Sequence, residues 1–388
     1  MHNHYLFSQP HQPFFILAFI NAIISMFVFM LLFKGLIASE ILSVQYHAYS
    51  FIFLMFTPAF LAFLFTTFPR FSATDPILKT HYMYIFWLFL TGSIFFHIAI
   101  LSSIILLILS IIILLVAQIG ALYLLFKIYK KSKVKEKSDQ AWILIAMSIG
   151  VISHILFLIA MGIPSLYQFS IQMSIYLYLF LLIFTIAQRM VPFFSHRPIE
   201  KHTERFKVIV GLLALHVLLE SVQANSSFLV NLLLAYLTGK ELYRWKLPFP
   251  NPNPLIWILH IALFWVPIAF LLSGITNLIS LASETNFLSL DIHTLALGFF
   301  LTILIGFGTR VTLGHSGNTM HADRLTTILF YWTQVVVFVR ILTSLSVAMN
   351  WNFVIFFDLS ITVWVVLFTL WACRFFAVLI FAKKLESK

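Results

Sequence analysis

The sequence predicts an all-α, polytopic membrane protein: a bundle of about twelve transmembrane helices with both termini on the cytoplasmic side. Three observations predict it. Of 388 residues, 61% are hydrophobic and only 10% are charged, too little charge to cover a soluble protein of this length. Apolar runs recur at about the 20 residues that cross a bilayer. Connectors rich in Lys and Arg alternate with connectors nearly free of them, as the positive-inside rule requires. Helices follow because backbone polar groups in lipid must be satisfied within the spanning element.

The runs predict helices at 14–33, 48–68, 82–101, 104–127, 141–162, 170–190, 207–224, 226–243, 255–279, 292–312, 325–347 and 353–382. The stretch from Tyr82 to Phe126 is too long for one span, and Ser102 and Ser103 mark a tight turn inside it. Six connectors, from "FPRFSATDPILKTH" to the tail "AKKLESK", carry most of the Lys and Arg. In the other set, Lys34 is the only basic residue. The net charge of +11 therefore reflects orientation in the membrane rather than nucleic-acid binding. The first apolar run, near Phe14, lacks a small-residue cleavage site, so no signal peptide is expected. The whole chain, 1–388, is read as one membrane domain. Its two halves show no clear repeat, so an inverted-repeat transporter is not supported.

Cys373 is the only cysteine. That excludes a disulfide framework, a thiolate cluster and covalent c-type haem. No Gly-rich phosphate loop, Gly-x-Ser-x-Gly elbow or His-Glu-x-x-His is present. Chemistry falls to the fourteen histidines. His2, His4, His11, His81, His202 and His321 lie in terminal or loop segments and read as solvated. The rest lie in or at the ends of spans, where ionisable groups are costly and mark function by default. Imidazole is the usual axial ligand of haem iron and a common copper ligand. His47 and His293 begin predicted helices at matching depth, with His97 a third metal candidate. His260, His315 and His196 form a second group at the opposite end, and His154 and His216 sit near mid-membrane. For any one of them, a neutral histidine bonded to a neighbouring helix is an equal alternative. Arg189 and Arg310 fall at helix ends, where snorkelling competes with pairing to haem propionates. Arg340 lies deeper and requires an anionic or carbonyl partner.

Several stretches, in order along residues 11–345, resemble one family, the NnrS proteins. "HQPFFILAFINA" is similar to that family's Arg-Pro-Phe-Phe opening. "YHAYSFIFLMFTPAFLAFLFTTFPRF" is similar to a helix beginning Trp-His-Ala-His-Glu-Met. "AQRMVPFFSH" is similar to Gly-Gly-Arg-x-Ile-Pro-Phe-Phe, and "ILHIALFWVPIAFLL" to Leu-His-x-Gly-Tyr-x-Trp. The most specific match is "DIHTLALGFFLTILIGFGTRVTLGHSGNTM", which resembles His-Ala-Leu-x-x-Gly followed by Met-x-x-Arg-x-x-Leu-Gly-His-Thr-Gly. The resemblance implies a bacterial inner-membrane protein containing haem and copper and linked to the nitric oxide response. It places cofactor-binding roles on His47, His260, His293, His315, Arg189 and Arg310. Three positions depart from the pattern: Tyr49 replaces a histidine, Ser50 a glutamate and Gln12 an arginine.

The expectation is a multi-pass haem protein, with non-covalent b-type haem and with copper weakened by Tyr49 and Ser50. It would lie in a bacterial cytoplasmic membrane, bind NO or a related small gas, and support resistance to nitrosative stress. Two alternatives stay open: an electron-transferring or gas-reducing enzyme akin to haem–copper oxidases, and a haem-free transporter of a small solute or metal complex.

Overall fold

The computed structural model describes residues 5–385 except Glu40, Pro198, Glu200 and Lys201. Among these residues it holds twelve long helices and no strand. They are α1 (His11–Phe33), α2 (Ser43–Phe71), α3 (Lys79–Ala99), α4 (Ile104–Lys131), α5 (Ser138–Ala160), α6 (Leu166–Phe194), α7 (Thr203–Val222), α8 (Phe228–Trp245), α9 (Pro254–Ser283), α10 (Leu290–His315), α11 (Arg324–Ala348) and α12 (Phe353–Phe381). The tight turn between the third and fourth helices lies where the two serines predict it. α1 starts three residues before its predicted boundary, at His11.

Local chemistry sets several ends. Asn253 accepts from Leu255 N–H at 3.0 Å, and Pro254 opens α9 where no backbone donor is needed. Asp323 accepts from Thr326 N–H at 2.9 Å at the start of α11. At the end of α10, Gly317 takes φ +66°, a left-handed turn that suits glycine.

Ten of the twelve helices are long and apolar enough to cross a membrane. The other two, α7 and α8, carry more charge, and several of these charges are paired or hydrogen-bonded. Arg205 of α7 bonds Glu241 of α8, which also accepts from Trp245 Nε1 at 3.2 Å. At the other end Glu220 accepts from Asn225 N–H (2.9 Å), Ser227 Oγ (2.6 Å) and Asn277 Nδ2 (3.2 Å). A carboxylate so enclosed stabilises the α7–α8 turn.

The chain forms two compact units. Unit 1 holds the chain up to Ser174, Val311–Thr319 and the described residues from Phe368; unit 2 holds Ile175–Arg310 and Met320–Leu367. In unit 1 the core is aromatic: Phe14, Phe15, Phe19, Phe53, Phe60, Phe65 and Phe68 are almost fully buried, and Phe19 lies 4.0 Å from Trp371. Its α3 and α4 approach closely at Gly92, where a Cβ would stand 2.6 Å from Leu114 Cγ. In unit 2, a Cβ at Gly298 would stand 2.6 Å from Trp265 Cγ, so α9 and α10 pack almost backbone to ring.

The chain repeats in thirds rather than halves. Three π-helical turns interrupt α2, α6 and α10, at Ser50–Phe56, Met173–Phe180 and Ala296–Leu301. Successive starts, at 50, 173 and 296, are 123 residues apart in both cases. Each interrupted helix is the second of a set of four. A π turn leaves a carbonyl short of its usual partner. Thr57 Oγ1 donates to the Ile52 carbonyl at 2.8 Å, and Thr302 Oγ1 to the Leu297 carbonyl at 3.0 Å.

Candidate functional site

The same 123-residue step puts His47, Ser170 and His293 at equivalent places, each three residues before a π turn. It also aligns Pro69, Pro192 and His315. Two of the predicted ligands thus share one position in two repeats, and Ser170 stands in the third.

In unit 1, His47 lies in the first turns of α2 with its ring 4.3 Å from Phe29 and 4.7 Å from Phe51. His97 of α3 has both ring nitrogens engaged. Nε2 lies 3.3 Å from Asn21 Oδ1, which can only accept, so Nδ1 accepts from the Tyr46 hydroxyl at 3.0 Å. Asn21 spends its own amide on the Leu54 carbonyl (2.8 Å), inside the π turn, and on Ser93 Oγ (3.0 Å). His154 follows the same pattern. Its Nδ1 donates to Gln118 Oε1 at 2.7 Å, and its Nε2 accepts from the Tyr49 hydroxyl at 2.7 Å. Its ring stacks on Phe53 at 4.0 Å. Tyr49 therefore holds a buried histidine, and Ser50 Oγ donates to the His47 carbonyl at 3.2 Å.

At the opposite end of unit 1, His315 closes α10. Its Nδ1 donates to the Val311 carbonyl at 3.1 Å, and its Nε2 faces Arg70 Nη2 at 3.2 Å. Its ring lies 4.9 Å from that of His11. His11, read from sequence as solvated, is 1% exposed. The signal for it was available: Pro13 suits the first turn of a helix, which puts His11 at the start of α1 rather than ahead of it. His81, His202 and His321 are exposed as expected; His2 and His4 lie outside the described residues.

In unit 2, the Nδ1 of His293 lies 2.8 Å from the Ser289 carbonyl and 3.0 Å from Arg340 Nη2. One nitrogen cannot donate to the first and accept from the second. Arg340 has other acceptors, Leu288 O (3.0 Å) and Ser344 Oγ (2.6 Å), so the Nδ1 proton goes to Ser289. Arg340 thus finds the carbonyl partner its depth demands. Asp291 accepts from the Tyr176 hydroxyl at 3.4 Å, and the Tyr176 ring lies 4.1 Å from that of His216. His260 is fully buried, with Ser195 Oγ 2.8 Å from Nε2 and no partner for Nδ1. Arg310 lies 4.0 Å over the Phe194 ring and reaches the Leu255 carbonyl at 3.5 Å, with its Nε unpartnered. Arg189 is half-buried in α6. Among the described residues no group of three or more His, Cys, Asp or Glu side chains could hold a metal ion.

The family model for the NnrS protein matches residues 5–383, nearly the whole chain. No curated protein matches it. Among solved structures, the chain is similar to a haem–copper terminal oxidase determined as a dimer by cryo-electron microscopy. The likeness has a TM-score of 0.61 at 11% identity and covers 97% of this chain and 84% of that one. At that identity the likeness is one of fold.

Proposed function

Since the chain belongs to the NnrS family, we propose that this multi-pass membrane protein binds non-covalent haem and supports resistance to nitric oxide and nitrosative stress in a bacterial cytoplasmic membrane. The observation that carries the reading is the equivalent placement of His47 and His293, each just before a π turn, an irregularity that often accompanies functional sites. Each is an axial-ligand candidate. His293 would ligate through Nε2, with its Nδ1–H held by Ser289; such a bond orients the ring and raises its basicity. His47 is held by the flanking rings of Phe29 and Phe51. In unit 2, the stranded His260 Nδ1 and Arg310 Nε fit a ligand that brings its own acceptors. Bound haem would supply an iron position able to take up NO.

Copper fits less well. Tyr49 is committed to His154 and Ser50 to a carbonyl, so α2 offers one imidazole where the family pattern has two and a glutamate. Phenol and hydroxyl are poorer copper ligands than imidazole.

The test is colour. Protein purified from haem-replete cells should show a Soret band and a reduced-minus-oxidised difference spectrum. A colourless protein under those conditions would sink the haem reading and favour a haem-free transporter.

A further inference from the structure

The end of unit 1 where α1 begins and where α2 and α10 end collects polar groups that the protein leaves unsatisfied. His11 Nδ1 and Gln12 Nε2 are buried and unpartnered, and His11 and Gln12 are 1% and 0% exposed. The Gln12 amide has one sensible orientation, because its Oε1 accepts from Ser8 Oγ at 3.0 Å and Gln9 N–H at 2.8 Å. Its NH₂ is therefore a stranded donor. Thr312 Oγ1, one turn before His315, is stranded as well.

Positive charge gathers at the same place. Arg70 is exposed and its contact within the protein is with His315 Nε2 at 3.2 Å. That leaves most of its five donors unspent. Lys384 caps the turn just after His315, with Nζ 2.7 Å from the carbonyls of Ser316 and Gly317. No carboxylate pairs with Arg70 among the described residues.

We propose that this end of unit 1 binds a small oxyanion, a carboxylate or a nitrite-like group, through Arg70 and His11, with Gln12 in the same turn and Lys384 adding charge. The arginine fork matches two oxygens of such a group. A buried imidazole that donates its Nδ1 proton satisfies itself and the anion together. A metal cation is disfavoured, because Arg70 occupies the His315 lone pair and a second cation lies close by.

Two sources share this chemistry: a free anion, or the carboxylate of a bound tetrapyrrole. The second rests on the haem reading above and the first does not. Full-length protein in detergent is titrated with sodium nitrite and sodium acetate against sodium chloride at equal ionic strength, with Tm as readout. In parallel, haem-depleted protein is reconstituted with haem or haem dimethyl ester, with the Soret band as readout. Arg70→Gln and His11→Gln are compared with wild type, and Lys133→Gln, exposed in the α4–α5 loop, is the charge control. For a free anion, the nitrite or acetate affinity falls at least about tenfold in both variants and stays unchanged in the control. For a tetrapyrrole carboxylate, haem affinity in both variants falls to that of the ester, again at least about tenfold. Variants that bind every probe as wild type does would overturn the proposal, even if no Soret band forms in any sample. So would a chelatable metal that wild type holds, His11→Gln loses and Arg70→Gln keeps.

Discussion

At the scale of single residues, what the two ring nitrogens meet separates one histidine from another. His97 and His154 each donate from one nitrogen and accept at the other, which makes them neutral braces between helices. Tyr49→Phe should therefore strand His154 Nε2 in the core and cost about 1–3 kcal/mol, read as a lower Tm. Asn21→Ala should cost more than one such bond, because it frees His97, the Leu54 carbonyl and Ser93 together. The ligand candidates call for a different readout. His47→Ala and His293→Ala should each abolish or shift the Soret band while membrane insertion is kept, whereas His202→Ala and His321→Ala should do neither. If both ligand variants keep wild-type spectra, His260, whose Nδ1 has no partner, becomes the first candidate, ahead of His315, whose Nε2 faces Arg70. Copper should wash out on chelation; stoichiometric, chelator-resistant copper would count against the account of Tyr49 and Ser50.

At the scale of helices, the three π turns set the rotation of everything N-terminal to them. An α-helix advances about 100° per residue, so deleting one residue from Ala296–Leu301 should swing His293 away from Arg340 and remove its spectral contribution. Close packing makes a second element-scale demand. Gly298→Ala would place a Cβ 2.6 Å from Trp265 Cγ, and overpacking of this kind typically costs about 1–3 kcal/mol, measurable as a drop in Tm. The α2, α6 and α10 sequences are too different for the repeat to be read by eye. The 123-residue step becomes visible only through the wide turns, because hydrophobic runs do not record backbone register.

At the scale of the whole molecule, the count of spans depends on α7 and α8. Several of their charges pair with one another or with nearby amides, so they can cross despite carrying more charge than the other ten. A reporter fused at Asn225, in the turn between them, should lie on the opposite side from one at Lys246. The same side for both would remove α8 from the spans. Reporters at Ser132 and Glu284 should also report opposite sides, with Ser132 inside. The fold class, the helix count and the turn at Ser102–Ser103 were determined by sequence alone, because burial of an apolar run in lipid is a local property that sums along the chain. So was the family, carried by the α10 motif. The tertiary structure decided which side chains are spent. Asn21 meets His97 from 76 residues away and Arg70 meets His315 from 245. Hydrogen-bond partners are chosen by which helices pack together, and that choice decides whether a buried imidazole is a brace or has a nitrogen left for a ligand.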